Sequence, residues 1–220
     1  MVALNVLHKK YVCNNNGDKM NSKKIEIVQT MFTDDVPVVN TATLKQNGIH
    51  SRNITELVNS GFITRIKQGH YIWSQKESDT SDIVLAAKLI PNGVLCLYTA
   101  LEHYGLSTIN PTEIFMALPR GTVAPSLPSN LRVNVRQMID KHFELGISET
   151  ELNGVAVKIY DVEKTVCDCF KYDKEVEKSI ALESLKIYIS SGNCNVQKLL
   201  EYAKIMGKKK TILPYVEAML

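Results

Sequence analysis

The short motifs that mark most enzymes are missing from this chain. Its 220 residues contain no glycine-rich phosphate loop, no G-x-S-x-G elbow and no H-E-x-x-H helix. Metal-dependent nucleases hold their ion with clustered carboxylates, and many carry an acidic residue two places before a lysine on a strand. No Asp or Glu here has Lys two positions after it. Asp161 and Glu163 form the nearest acidic pair, and they read better as a helix start, where negative charge meets the dipole. No enzymatic activity, cofactor or metal is expected.

Cysteine is sparse. The five residues, Cys13, Cys96, Cys167, Cys169 and Cys194, are odd in number and irregular in spacing. Cys167-Asp168-Cys169 has no second pair and no histidine at zinc spacing. On a helix, side chains two apart diverge. They read as reduced thiols of a cytoplasmic protein. No stretch approaches the roughly 18 apolar residues of a membrane span. The start has no apolar core of about 7–15 residues, as a secretory signal would. Neither charge sign dominates, and a net +3 is too small to imply nucleic acid by itself. Its distribution says more. Residues 1–76 hold 10 Lys or Arg against 5 Asp or Glu, and residues 77–220 hold 16 against 18. The basic excess sits in the first third.

That third holds Ser51 to Trp73, SRNITELVNSGFITRIKQGHYIW. Ser51 is a plausible N-cap. Ile54, Leu57 and Val58 follow as one apolar stripe at i, i+3 and i+4. Gly61 stands where a helix ends in a left-handed residue. Phe62 to Ile66 reads as a strand and Tyr71 to Trp73 as its return, with Lys67-Gln68-Gly69-His70 as the tip. A small helix plus hairpin is also an ordinary packing unit with no ligand. The preceding segment favours nucleic acid. Thr41 can cap a short helix through Leu44 and Lys45, Asn47-Gly48 ends it, and Ile49 leads into Ser51. This is the helix-turn-helix arrangement. Lys23 to Phe32 supplies a supporting helix through Ile25, Ile27, Val28, Met31 and Phe32, and Val38-Val39 adds a short strand beside the hairpin. In such a layout the second helix enters a major groove and the basic wing reaches phosphates beside it. The candidate DNA-contacting residues are Lys45, Ser51, Arg52, Asn53, Thr55, Asn59, Arg65, Lys67 and Gln68.

The predicted organisation is an irregular arm over residues 1–20 and a winged helix-turn-helix domain over 21–75. A polar, turn-rich boundary from Ser74 to Ser81 follows. Residues 82–220 then form a mixed α+β domain ending in helices, so the fold class is α+β. In that second part the patterns predict helices over Ile83–Ile90 and Val94–Tyr104. Strands are predicted at Glu113–Leu118 and around Leu131, Val133 and Val135. A further pair, His142–Ile147 with Val155–Tyr160, turns near Asn153-Gly154. Asp161 caps a helix through Phe170, and helices over Glu175–Ile189, Asn195–Met206 and Lys210–Leu220 complete the chain. Arg120, Arg132 and Arg136 are spaced to share one surface and are candidates for a secondary DNA contact. Lys208-Lys209-Lys210 reads as a solvated corner.

Three stretches in this order resemble AbiEi-type antitoxins of type IV, abortive-infection, toxin–antitoxin systems. The first is Gly48, Ile49, Ser51, Leu57, Val58, Gly61, Phe62, Ile63, Arg65, Ile66, Gly69 and Tyr71. The second is Tyr98-Thr99-Ala100-Leu101-Glu102-His103-Tyr104-Gly105-Leu106-Ser107, with Thr99 where serine is common. The third is Asp161-Val162-Glu163-Lys164-Thr165-Val166-Cys167-Asp168, with Lys164 where arginine is usual. The resemblance runs from about residue 22 to the C-terminus. It implies a DNA-binding antitoxin that binds inverted repeats in its own promoter and represses its operon. It also implies a functional partner, a nucleotidyltransferase-like toxin, opposed without a stable complex. A winged-helix regulator or protein-interaction module with no toxin partner is the other reading. Thr99, His103, Thr165 and Asp168 lie among apolar helix positions and read as core hydrogen-bonding groups rather than ligand contacts.

Overall fold

The computed structural model describes residues 22–76 and 80–220, so the arm predicted over residues 1–20 lies outside the described residues. The chain divides into two compact units, Met1–Ser81 and Asp82–Leu220. The fold is α+β: a helix-turn-helix with a small sheet, then a mixed α+β unit ending in helices.

In the first unit, α1 (Ser22–Thr30), β1 (Val38–Asn40), α2 (Thr41–Gln46) and α3 (Ser51–Asn59) precede a hairpin of β2 (Ile63–Lys67) and β3 (His70–Trp73). The sheet is antiparallel in the order β1-β3-β2, so the predicted short strand does pair beside the hairpin. Val28, Phe32, Leu44, Ile49, Ile54, Leu57, Ile63 and Trp73 make the core. The Trp73 ring lies 6.0 Å from both Phe32 and Phe62. Ile27, predicted on the apolar face of α1, is 43% exposed, while Val28 and Phe32 are buried in the core and Ile25 and Met31 pack against it partly buried.

Helices α2 and α3 end alike. Gly48 (φ 79°) donates to Lys45 and Ile49 to Leu44, while Gly61 (φ 71°) donates to Val58 and Phe62 to Leu57. Both are Schellman closures, in which a left-handed glycine lets the chain satisfy the last carbonyls and turn back. The starts differ from expectation. Asn40, not Thr41, caps α2, since its Oδ1 accepts from the Thr43 amide at 2.9 Å. His50, not Ser51, occupies the extended cap position of α3 and makes no side-chain cap bond. Ser51 is already helical, and its carbonyl accepts from the Thr55 hydroxyl.

The second unit contains α4 (Asp82–Leu89), β4 (Val94–Leu95), α5 (Leu97–His103), β5 (Ile114–Pro119), β6 (Val133–Met138), α6 (Asp140–Phe143), β7 (Ile147–Leu152) and β8 (Val155–Tyr160). Helices α7 (Val162–Lys171), α8 (Lys178–Ser190), α9 (Val196–Ile205) and α10 (Lys209–Met219) follow. The sheet order is β6-β5-β4-β8-β7, with β5/β6 and β4/β8 parallel and the other pairs antiparallel. Cys96, Leu101, Tyr160, Val166, Phe170, Leu185, Leu199 and Ile212 form its core. The stretch from Val94, expected as one helix, opens instead with the central strand. A strand buried on both faces reads as a continuous apolar run, which periodicity cannot separate from a helix. The expected strand from His142 is the short helix α6, and β7 begins only at Ile147. The helix expected from Glu175 starts at Lys178, because Val176 is anchored in the core by a turn onto the Tyr172 carbonyl. Asn153 (φ 51°) and Gly154 (φ 78°) form the two-residue hairpin turn between β7 and β8. Among the described residues, no helix is long and apolar enough to cross a membrane.

Candidate nucleic-acid interface

Helix α3 presents two faces. Ile54 and Leu57 are buried, while Ser51, Arg52, Thr55 and Asn59 are exposed and Asn53 is half-buried. Residues 52, 55 and 59 follow at i, i+3 and i+7, so guanidinium, hydroxyl and amide share one stripe. The Arg52 side chain is 76% exposed and pairs with Glu56 at 3.4 Å. An exposed i,i+4 pair is weak and exchanges readily for a base edge or phosphate. Lys45 is exposed near the end of α2.

The hairpin follows directly. Arg65 and Gln68 are exposed, and Lys67 is half-buried. Burial lowers the Lys67 ammonium below its ordinary pKa. Strict alternation of Arg65 and Lys67 about Ile66 does not hold. A bulge lies between them, with Arg65 opposite Tyr71 but Lys67 opposite His70. An extra residue in one strand twists the edge locally, which explains why the two cations differ in exposure. At the tip, Thr41 donates to the Gly69 carbonyl through both its amide (2.8 Å) and its hydroxyl (3.2 Å). All nine predicted residues therefore belong to the first unit, on α2, α3 and the wing.

The secondary arginines do not form one surface. Arg120 follows β5 and Arg132 precedes β6, and these strands run parallel in register. The two exposed arginines sit at opposite ends of the pair, about 20 Å apart by strand rise. Arg136 is committed internally: it lies 4.4 Å over the Tyr172 ring and pairs with Glu175.

The third signature is built into the core. Asp161 caps α7 by accepting from the Lys164 amide at 2.8 Å. The Thr165 hydroxyl donates to the Asp161 carbonyl at 2.8 Å. Lys164 and Asp168 are fully buried, with Nζ 2.6 Å from Oδ1 and 4.0 Å over the Tyr160 ring. Burial raises the Asp168 carboxyl to about 6 against the opposing pull of Lys164. The Thr99 hydroxyl accepts from the Phe115 amide. His103, expected in the core, is instead exposed, with its ring edge-on to Tyr104. Sequence reasoning missed Lys198, which pairs with Asp161 at 3.1 Å and Glu163 at 2.9 Å. It also missed Tyr188 and Tyr202, which donate to Glu163 and Asp161. These partners come from α8 and α9, and nothing in local spacing announces a contact so distant in sequence. Burial tends to raise Glu163, but the bonds from Lys198 and Tyr188 outweigh it and hold its carboxyl below the ordinary value.

Among the described residues, no three His, Cys, Asp or Glu side chains gather to hold a metal. Cys167 and Cys169 are buried, and burial with nearby Asp168 pushes the Cys169 thiol up to about 12, far from a reactive thiolate. An open hollow of about 270 Å³, lined by Val94, Pro119, Phe143, Ile147 and Lys158 among others, brings no acid–base pair together.

No protein-family model matches this chain, and no curated protein matches it. A solved structure with the same fold is that of the RV2827C protein from Mycobacterium tuberculosis. It superposes with a TM-score of 0.55 over 86% of this chain and 73% of that one, at 14% identity. The likeness is one of fold, spanning most of both chains.

Proposed function

We propose that this protein binds duplex DNA through its first unit, with α3 in the major groove and the hairpin beside the sugar–phosphate backbone. The observation that carries the reading is the pairing of two features. Helix α3 buries Ile54 and Leu57 beneath an exposed Arg52–Thr55–Asn59 stripe, and a wing with Arg65, Lys67 and Gln68 follows it. Arg and Asn are shaped for two-point contact with guanine and adenine edges, and wing cations suit phosphate.

The resemblance to AbiEi-type antitoxins supports the fuller reading. The protein would bind inverted repeats in its own promoter, repress that operon, and counteract a nucleotidyltransferase-like toxin without a stable complex. A winged-helix regulator with no toxin makes the same prediction for DNA and differs only in cells. A mobility-shift titration with the intergenic DNA upstream of its gene tests the shared part. Retardation at lower protein concentration than for an unrelated duplex of equal length is expected, and equal affinity for both overturns operator recognition. Growth rescue on co-expression with the adjacent toxin separates the two readings.

A further inference from the structure

We infer that Thr41 is a positioning residue that locks the wing onto the start of α2, so that helices and wing meet DNA as one rigid surface. The inference rests on the DNA-binding reading. Thr41 is the first residue of α2, and Asn40 supplies the cap. The amide and hydroxyl are thus free of capping duty, and both turn to one acceptor, the Gly69 carbonyl, at 2.8 and 3.2 Å. A side chain at Gly69 would place its Cβ 3.3 Å from the Thr41 hydroxyl oxygen, so the tip lies in direct contact with the helix start.

The wing needs such a tie. Strand β2 is an edge, and its ladder with β3 is broken by the bulge between Arg65 and Lys67. The bulge disrupts the ladder locally, so the outer strand of this three-stranded sheet is held by fewer regular bonds near the tip than β3 is. Each freely moving group that must be ordered on binding costs affinity, and a wing already held in place avoids that cost. Pairing of Asn40 with His70 holds the base of the tip, and the two Thr41 bonds hold its turn. Lys67, opposite His70, is the cation nearest that turn in the strand register.

Three substitutions separate this role from plain stability. Thr41→Val keeps shape and removes the hydroxyl bond. Thr41→Pro removes both donors, and proline is favoured at the first helical position after an extended residue such as Asn40 (φ −94°, ψ 164°). Thr41→Ser keeps both. Anisotropy titrations of the full-length variants against a random-sequence duplex, over a range of salt, read the result. Thr41→Val is expected to weaken binding about 2- to 10-fold, and Thr41→Pro more. In Thr41→Pro the slope of log affinity against log salt should fall by about one as the Lys67 contact is lost. Adding Lys67→Gln to Thr41→Pro should change nothing further, and Thr41→Ser should match the unaltered protein. An unchanged slope, or losses from Thr41→Pro and Lys67→Gln that simply multiply, overturns the lock alone. Failure of the unaltered protein to bind any duplex overturns the DNA-binding reading, and the lock with it.

Discussion

Lys164 and Asp168 meet one turn apart on α7 with no solvent exposure, which makes their charges the most expensive in the second unit. Two ions taken out of water lose several kcal/mol each in effective solvation, and their attraction restores this only with good geometry. Here Nζ reaches both carboxylate oxygens, at 2.6 and 2.7 Å. Removing one partner is the damaging change. Lys164→Met should cost about 3–5 kcal/mol at neutral pH in urea denaturation, and clearly less at mildly acid pH, where Asp168 takes up a proton. Replacing both residues, Lys164→Met with Asp168→Leu, should cost less than the single change. The sign of the pH dependence follows from the carboxyl. Its folded pKa, about 6, lies above the ordinary carboxylate value, near 4. The folded state therefore binds the proton more tightly, and this group's contribution is complete below about pH 4 and is lost as pH rises through about 6. Asp168→Asn should abolish that component of the pH profile. On α3 the proposed DNA reading is tested most directly at Arg52. Arg52→Ala should weaken binding to the cognate operator by about 1–3 kcal/mol and to random DNA very little, and equal losses on both would reassign it to phosphate.

The turns carry the next test. Gly61 and Gly146 both have positive φ, at 71° and 70°. A Cβ on Gly61 would meet nothing within 4 Å, whereas one on Gly146 would lie 2.8 Å from Lys164 Cβ and 3.0 Å from both Asp161 carboxylate oxygens. Gly61→Ala should therefore cost only the left-handed backbone term, about 1–2 kcal/mol. Gly146→Ala should cost distinctly more by thermal unfolding, since it also pushes the α7 cap away from its partners. Element ends of this kind are partly legible in the sequence. Asn47-Gly48, Gly61, Asn153-Gly154 and the Asp161 cap all stand where the chain turns, because glycine and capping residues act locally. Capping chemistry alone points to Thr41 and Ser51, each one residue past the true cap. Asn40 and Thr41 could each cap, and the extended backbone at Asn40 decides between them; at α3 the extended residue is His50, which makes no side-chain cap bond, so capping chemistry could not locate that start. Strand β4 is illegible for a different reason: two residues buried on both faces carry no alternation.

Between the units, the legible features differ in kind. The first unit is organised by near neighbours, a helix, a glycine, a second helix and a hairpin, so its layout and its nine candidate residues can be read in order. In the second unit the informative contacts join distant segments: Lys198 to Asp161 and Glu163, and Arg136 to Tyr172 and Glu175. Periodicity reports which face is buried but not what it meets. Locality of this kind also predicts independence. A fragment ending at Ser81 retains the whole cluster of Val28, Phe32, Val39, Leu44, Ile49, Ile54, Leu57, Ile63, Tyr71 and Trp73. It should unfold cooperatively, with on the order of 3–8 kcal/mol of stability for a domain of its size. Being small, it buries a lesser share of its surface than the full chain and should melt earlier. Filter binding should show that it still recognises the operator, since α3 and the wing are intact. Weaker affinity with a shallower salt dependence would reveal a phosphate contact made by the second unit. Growth rescue against the cognate toxin should fail with the fragment, because the second and third signature stretches are gone. Operator affinity equal to that of the full chain would confine DNA contact to the first unit. Full rescue by the fragment would show that the second and third signature stretches are not needed for the proposed antitoxin activity.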